Sequence, residues 1–117
     1  MKPLFWVGSS KKDLQQLPEE VQDIFGYALH IAQCGGKHPQ AKPLKGFSGA
    51  GVLEVVEDFS TDTYRGVYTI KTGNAVYVLH TWQKKSSSGI GIPKPDMEKI
   101  KERLKAAESH ARRAEHE

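Results

Sequence analysis

Apolar and polar positions along the chain follow two different rhythms. The opening Pro3-Leu4-Phe5-Trp6-Val7 is a short apolar, aromatic run that suits a buried or edge strand. Ser9 or Ser10 then offers an N-cap for a short helix through about Leu17, interrupted by Pro18. Pro18-Glu19-Glu20 makes a good first turn for a second helix: proline costs little there, and acids suit the positive end of the dipole. Val21, Ile24, Phe25, Ala28, Leu29 and Ala32 recur at the spacing of one helical face, and Gly35-Gly36 ends it. Gly26 lowers the intrinsic propensity of this helix.

After residue 36 the rhythm changes. Residues 37–51 are rich in Pro, Gly and Lys and read as a loop with a short extended piece near Leu44. Three strands follow, Val52 to Phe59, Tyr64 to Lys71 and Ala75 to Gln83, each β-branched or aromatic. The short polar connections at 60–63 and 72–74 make hairpins, so the three strands form an antiparallel meander. Lys84 to Pro95 reads as a loop, and Pro95-Asp96 starts a helix with Met97, Ile100, Leu104 and Ala107 on one stripe. That helix is expected to fade near Ser109, leaving 109–117 as a frayed tail on a single domain of residues 1–108. The order of strand, two helices, three strands and helix predicts a small α+β domain without repeats.

Composition narrows the function classes. A chain of 117 residues supports one domain, and 38% hydrophobic with 26% charged residues argues against disorder. No apolar run approaches a membrane-spanning length, and the first residues carry no signal-peptide pattern. One cysteine forms no internal disulfide and builds no zinc site by itself, and the five histidines are scattered. A reduced, cytoplasmic domain without metal or small-molecule cofactor is expected. Cys34 reads as a buried small hydrophobe at a helix end, and Gly46, Gly49 and Gly51 precede a strand, which excludes a phosphate-binding loop. The net charge of +3 is unevenly spread: residues 51–70 hold Arg65 against Glu54, Glu57, Asp58 and Asp62, whereas residues 71–95 hold Lys71, Lys84, Lys85 and Lys94 and no acid. A local cationic patch is what polyanion contact needs; a solvated lysine-rich loop is the plainer reading.

Candidate chemistry lies in Tyr64-Arg65-Gly66-Val67-Tyr68 and in Leu79 through Lys85. Strand alternation places Arg65 beside Val67 and Thr69, and places Val76, Val78, His80 and Trp82 on one face that Lys84 continues. If the two faces coincide, Arg65, His80 and Lys84 converge at one end of the sheet; register decides this. Arg65 is alternatively a structural ion pair with Glu54 or Glu57, and His80 a hydrogen-bonded, half-buried strand residue.

Several segments together resemble the RelE/ParE toxin superfamily, in particular the phage-derived, HigB-like branch of type II toxin–antitoxin systems. They are Lys42-Pro43-Leu44-Lys45-Gly46, Leu53-Glu54-Val55, Tyr64-Arg65-Gly66-Val67-Tyr68, and Val76 through Lys85, followed by the helix from Pro95 to Leu104. The resemblance implies a RelE-like fold and a metal-independent endoribonuclease that cleaves mRNA at the ribosomal A site. It also implies a helix-turn-helix antitoxin as partner. In that chemistry a ribose 2′-OH attacks its adjacent phosphate, and the protein moves two protons and neutralises the developing charge. Arg65 and Lys84 rank first for charge stabilisation and Lys85 next. His80 and Tyr68 are lower-ranked candidates for proton transfer or stacking, and Glu54 for orienting Arg65. Lys42, Lys45, Lys71 and Lys94 are expected to contact RNA. Known nucleases of the superfamily often carry Tyr or His just after the last strand, where this chain has Ser86-Ser87-Ser88-Gly89-Ile90. The alternative within the same scaffold is a non-catalytic, ParE-like toxin that inhibits DNA gyrase by protein binding; an inactive structural phage protein is the third option.

Overall fold

A computed structural model describes residues 1–47, 49–84 and 91–115. The elements run β1 (Leu4–Trp6), α1 (Ser10–Gln15), α2 (Glu19–Gln33), β2 (Ala41–Pro43), β3 (Val52–Phe59), β4 (Asp62–Thr69), β5 (Val76–Lys84) and α3 (Lys94–Glu115). The expected α+β order is therefore present. The meander of β3, β4 and β5 is antiparallel as its short connections require, and Ser60 takes a positive φ of 59° in the turn between β3 and β4.

Two strands complete the sheet beyond the meander, in the order β1-β5-β4-β3-β2. The opening strand pairs in parallel with β5, Leu4 opposite Val76 and Trp6 opposite Val78. β2 (Ala41–Pro43) covers the other edge, antiparallel to β3, and is the short extended piece expected near Leu44, whose N–H donates to the Val52 carbonyl at 2.9 Å. The result is a mixed five-stranded sheet with helices on both faces.

One face packs on α2. Val21, Phe25, Ala28, Leu29 and Ala32 are buried there against Leu53, Val55, Tyr64, Tyr68, Val76 and Val78. The helical spacing read from the sequence thus does bury a continuous stripe, and full burial of such side chains contributes about 1.5–3 kcal/mol each for the larger ones. On the other face, Ile100, Leu104, Ala107 and Ala111 of α3 cover Val52, Val67, Ala75, Tyr77 and Leu79. At Gly66 of β4, an added Cβ would stand 3.3 Å from the Phe25 ring, so glycine permits the close approach of α2.

A β-bulge divides β5 between the two cores. Val67 pairs with His80, but the next residue, Tyr68, pairs with Val78, leaving Leu79 as the extra residue. Consequently Val76 and Val78 face α2, whereas Leu79, His80 and Trp82 face α3. The single shared face expected for Val76, Val78, His80 and Trp82 is broken, because simple alternation does not survive an inserted residue. Arg103 of α3 donates from Nη1 to the Leu79 carbonyl at 2.9 Å and from Nη2 to Ser9 Oγ at 2.9 Å. Its guanidinium lies over Gly8, where a Cβ would meet Nε at 2.8 Å; with φ at +58°, that position requires glycine.

The N-terminal end of α3 is tied down by His80, whose Nε2 donates to Asp96 Oδ1 at 2.8 Å. Because a carboxylate accepts only, the neutral ring carries its hydrogen on Nε2. His80 is 3% exposed, and burial lowers its pKa below the ordinary value despite Asp96, with Arg103 and Lys99 adding to the lowering. The far end of α3 continues past the expected stop at Ser109 to Glu115. His110 and Tyr77 share a hydrogen bond at 2.7 Å, Phe5 stacks on Tyr77, and Ala111 is buried, contacts that reach from beyond the local sequence.

Two predictions follow from how α3 is held. A chain ending at Glu108 loses the Tyr77–His110 bond and the burial of Ala111, and its unfolding free energy should fall by about 1–3 kcal/mol in denaturant titration; an unchanged midpoint would mean that the last turns are indeed a frayed tail. For His80, the unfolded state binds a proton more readily than the folded state. Stability should therefore fall as pH drops below about 6.5 toward the depressed folded value, and H80Q should remove that part of the pH dependence. A wild-type profile with no slope in that window would refute the assignment.

Candidate functional site

The cross-strand register lays out the side chains of the α3-facing side of the sheet in rows. Lys42, Glu54, Val67 and His80 form one row across β2, β3, β4 and β5; Val56, Arg65 and Trp82 form the next; Asp58, Thr63 and Lys84 form the last. From the His80–Asp96 contact, α3 runs toward Tyr77 and His110, away from the Lys84 end. The rows carrying Arg65 and Lys84 therefore lie beyond the first turn of the helix. Arg65, His80 and Lys84 do share a face, through the bulge rather than through alternation along all of β5, but they stand in three successive rows.

Arg65 is half-buried at the middle of β4. Its Nη1 donates to Glu54 Oε2 at 2.7 Å, with the two side chains 13% and 16% exposed. Of the two acids open to it, Glu54 is the partner; Glu57 points elsewhere and accepts from Gln40 Nε2 at 3.3 Å. Such a pair costs desolvation of both charges and is balanced by their contact. Its chemical consequence is orientation: one nitrogen of the guanidinium is held, while the buried Nε has no partner among the described residues. Lys42, exposed on the neighbouring strand opposite Glu54, and Lys84, partly exposed opposite Thr63, add cationic charge to this face.

The other candidate positions are distributed differently. Tyr68 is buried at 2% exposure on the α2 face, opposite in direction to Arg65; its hydroxyl has no partner among the described residues, and burial pushes its pKa up to about 12. It is not brought to the arginine. His80 is on the arginine's face, but its Nε2 is held by Asp96. Lys71 follows β4 at the opposite end from Lys84, and the eight steps from Thr63 to Lys71 cover about 26 Å of extended chain, so Lys71 and Lys84 do not form one patch. Lys45 is exposed in the loop after β2, and Lys94 is exposed at the start of α3. Lys85 and the segment 86–90 lie outside the described residues. Cys34 is exposed rather than buried, at the end of α2, with Sγ 3.9 Å from His30 Nε2. Among the described residues, no group of three or more His, Cys, Asp or Glu side chains is placed to hold a metal ion. Among them too, no helix is long and apolar enough to cross a membrane.

Residue-by-residue reasoning gave Trp82 and Asp96 no role at the site. The Trp82 ring stacks on His80 with centroids 4.4 Å apart and planes 14° from parallel, and it stands directly across from Arg65. An aromatic residue two positions from a strand histidine was visible in the sequence; its adjacency to Arg65 depends on a register set by the bulge. Asp96 was legible as a helix-start acid, but its bond to His80 joins residues 16 apart.

Comparison with known proteins agrees with this architecture. Curated proteins yield no match to the chain. A family model described as "Phage derived protein Gp49-like" matches residues 12–105, a span that includes β2 to β5, Arg65, Glu54, Trp82, Lys84 and the greater part of α3. That family is a RelE/ParE-like toxin family, and with most of its length matched, the chain belongs to it.

Proposed function

We propose that this protein is the toxin of a HigB-like type II toxin–antitoxin pair and acts as a metal-independent endoribonuclease on mRNA at the ribosomal A site. The observation that carries the reading is an oriented, half-buried arginine, Arg65, on a sheet face that also presents Lys84 and Lys42. In the proposed step the ribose 2′-oxygen forms a bond to the adjacent phosphorus as the bond to the 5′-oxygen breaks. The products are a 2′,3′-cyclic phosphate and a 5′-hydroxyl. The proton leaving the 2′-OH is taken up by a base, and one is delivered to the departing 5′-oxygen.

Arg65 and Lys84 are assigned to the phosphorane oxygens, where a preorganised cation acts mainly on the transition state. Glu54 holds the guanidinium in place and lowers its net attraction for phosphate in the resting protein, so that Lys84 and Lys42 supply the long-range pull. Lys85 belongs to the same assignment by its position after β5. A small helix-turn-helix antitoxin is the proposed partner that keeps the activity in check.

The test is cleavage of a defined transcript on translating ribosomes, mapped by primer extension. R65A should lower the cleavage rate by about 10²–10³-fold, as removal of one charge-stabilising donor does. K84A should lower it less, and E54Q, which keeps an acceptor for Arg65, should retain most activity. Wild-type cleavage that persists undiminished in R65A and K84A would overturn the assignment. Inhibition of DNA supercoiling with transcripts left intact would replace it with the protein-binding, gyrase-directed reading.

A further inference from the structure

Beside the sheet face lies a cleft of about 710 Å³ that neither the fold nor the phosphate site uses. It follows from the short length of β1, which pairs with β5 at Val76–Val78 and leaves the later part of β5 without a strand neighbour on that side. The walls come from α1 with the turn after it, from the end of β5 and from the first turn of α3. Trp82 and Leu17 supply apolar wall, Gln16 and Gln83 supply amides, and the carboxylates of Asp13 and Asp96 stand with the ammonium of Lys99. The size lies within the range of ligand sites, about 300–1,000 Å³.

That lining selects among the parts of a nucleotide. Asp13 accepts from Ser9 and Asp96 from His80, and with Lys99 they leave a mixed lining that does not concentrate positive charge for a phosphate, whereas amides and carboxylates beside an indole match the donors, acceptors and π-face of a base. Trp82 belongs to both places: it lines the cleft and stands across the strand pair from Arg65. Its ring is already immobilised against His80, which is itself buried and held by Asp96, so stacking onto it orders little more.

We infer that this cleft receives a nucleobase of the RNA strand whose phosphate rests on Arg65, with Trp82 as the stacking platform. The inference rests on the RNA reading above and adds a base-binding subsite to it.

The two are separated by titrating the full chain with a non-cleavable 2′-O-methyl RNA trinucleotide and with the same trinucleotide made abasic at its centre. Indole N–H signals are followed by NMR, with Trp6 in β1 as the internal control. The Trp82 signal should move with the intact RNA and hardly at all with the abasic one, and the intact RNA should bind roughly 5- to 100-fold more tightly. W82L should bring that ratio close to one, W82F should keep most of it, and R65A should weaken both ligands alike. Equal wild-type affinity for the two RNAs, still lost in R65A, would overturn the base subsite while leaving the RNA reading in place. A shift at Trp6 instead of Trp82 would also overturn the subsite. Binding of neither RNA at millimolar concentration would overturn both.

Discussion

The inserted residue in β5 is the constraint on which the rest of the structure depends. Up to Val78 the strand feeds the core under α2, and from Leu79 onward it presents alternate residues to α3. A bulge disturbs the ladder locally, and here the Leu79 carbonyl accepts from Arg103, a residue from another element. The same arginine reaches Ser9, so the bulge, the start of α1 and the middle of α3 are held by one side chain. His80, turned toward α3 by the bulge, bonds Asp96 and stacks on Trp82. Had β5 alternated regularly through Leu79, His80 and Trp82 would fall on the α2 side, away from Arg65.

Charge on the sheet is used sparingly. The acidic strand and the basic stretch do not simply face one another: Glu54 is consumed by Arg65, Asp58 accepts from Thr63, and Lys71 and Lys84 stand at opposite ends. On the face that carries Arg65, Lys42 and Lys84 stand in the rows on either side of it. Under the RNA reading proposed above, the ion pair limits non-specific attraction while keeping the fork in position.

Much of this was legible in the residue pattern. The helical stripe from Val21 to Ala32 buries as its spacing requires, and the three meander strands lie within two residues of their expected bounds. Arginine in an apolar strand demands a partner, and of its two candidate acids Glu54 is that partner, as the reading of Arg65 as a structural ion pair expects. Tyr68 and Cys34 were misread because direction and burial depend on what packs above them. The end of α3 was misplaced for a related reason: residues 109–115 have weak amphipathic character of their own, and it is Tyr77, Phe5 and Gly73, distant in the chain, that give His110 and Ala111 something to pack on.

By itself the sequence determined the class of fold and the order of its elements. These follow from local periodicity, turn chemistry and residue type, which act over a few positions. The tertiary structure alone decided which residues meet. It paired Arg65 with Glu54 and set Trp82 beside them, turned His80 to Asp96, and separated Lys71 from Lys84. The physical reason is that one extra residue in a strand reverses every side chain after it, and nothing in the local run from Val76 to Lys84 marks where that residue falls.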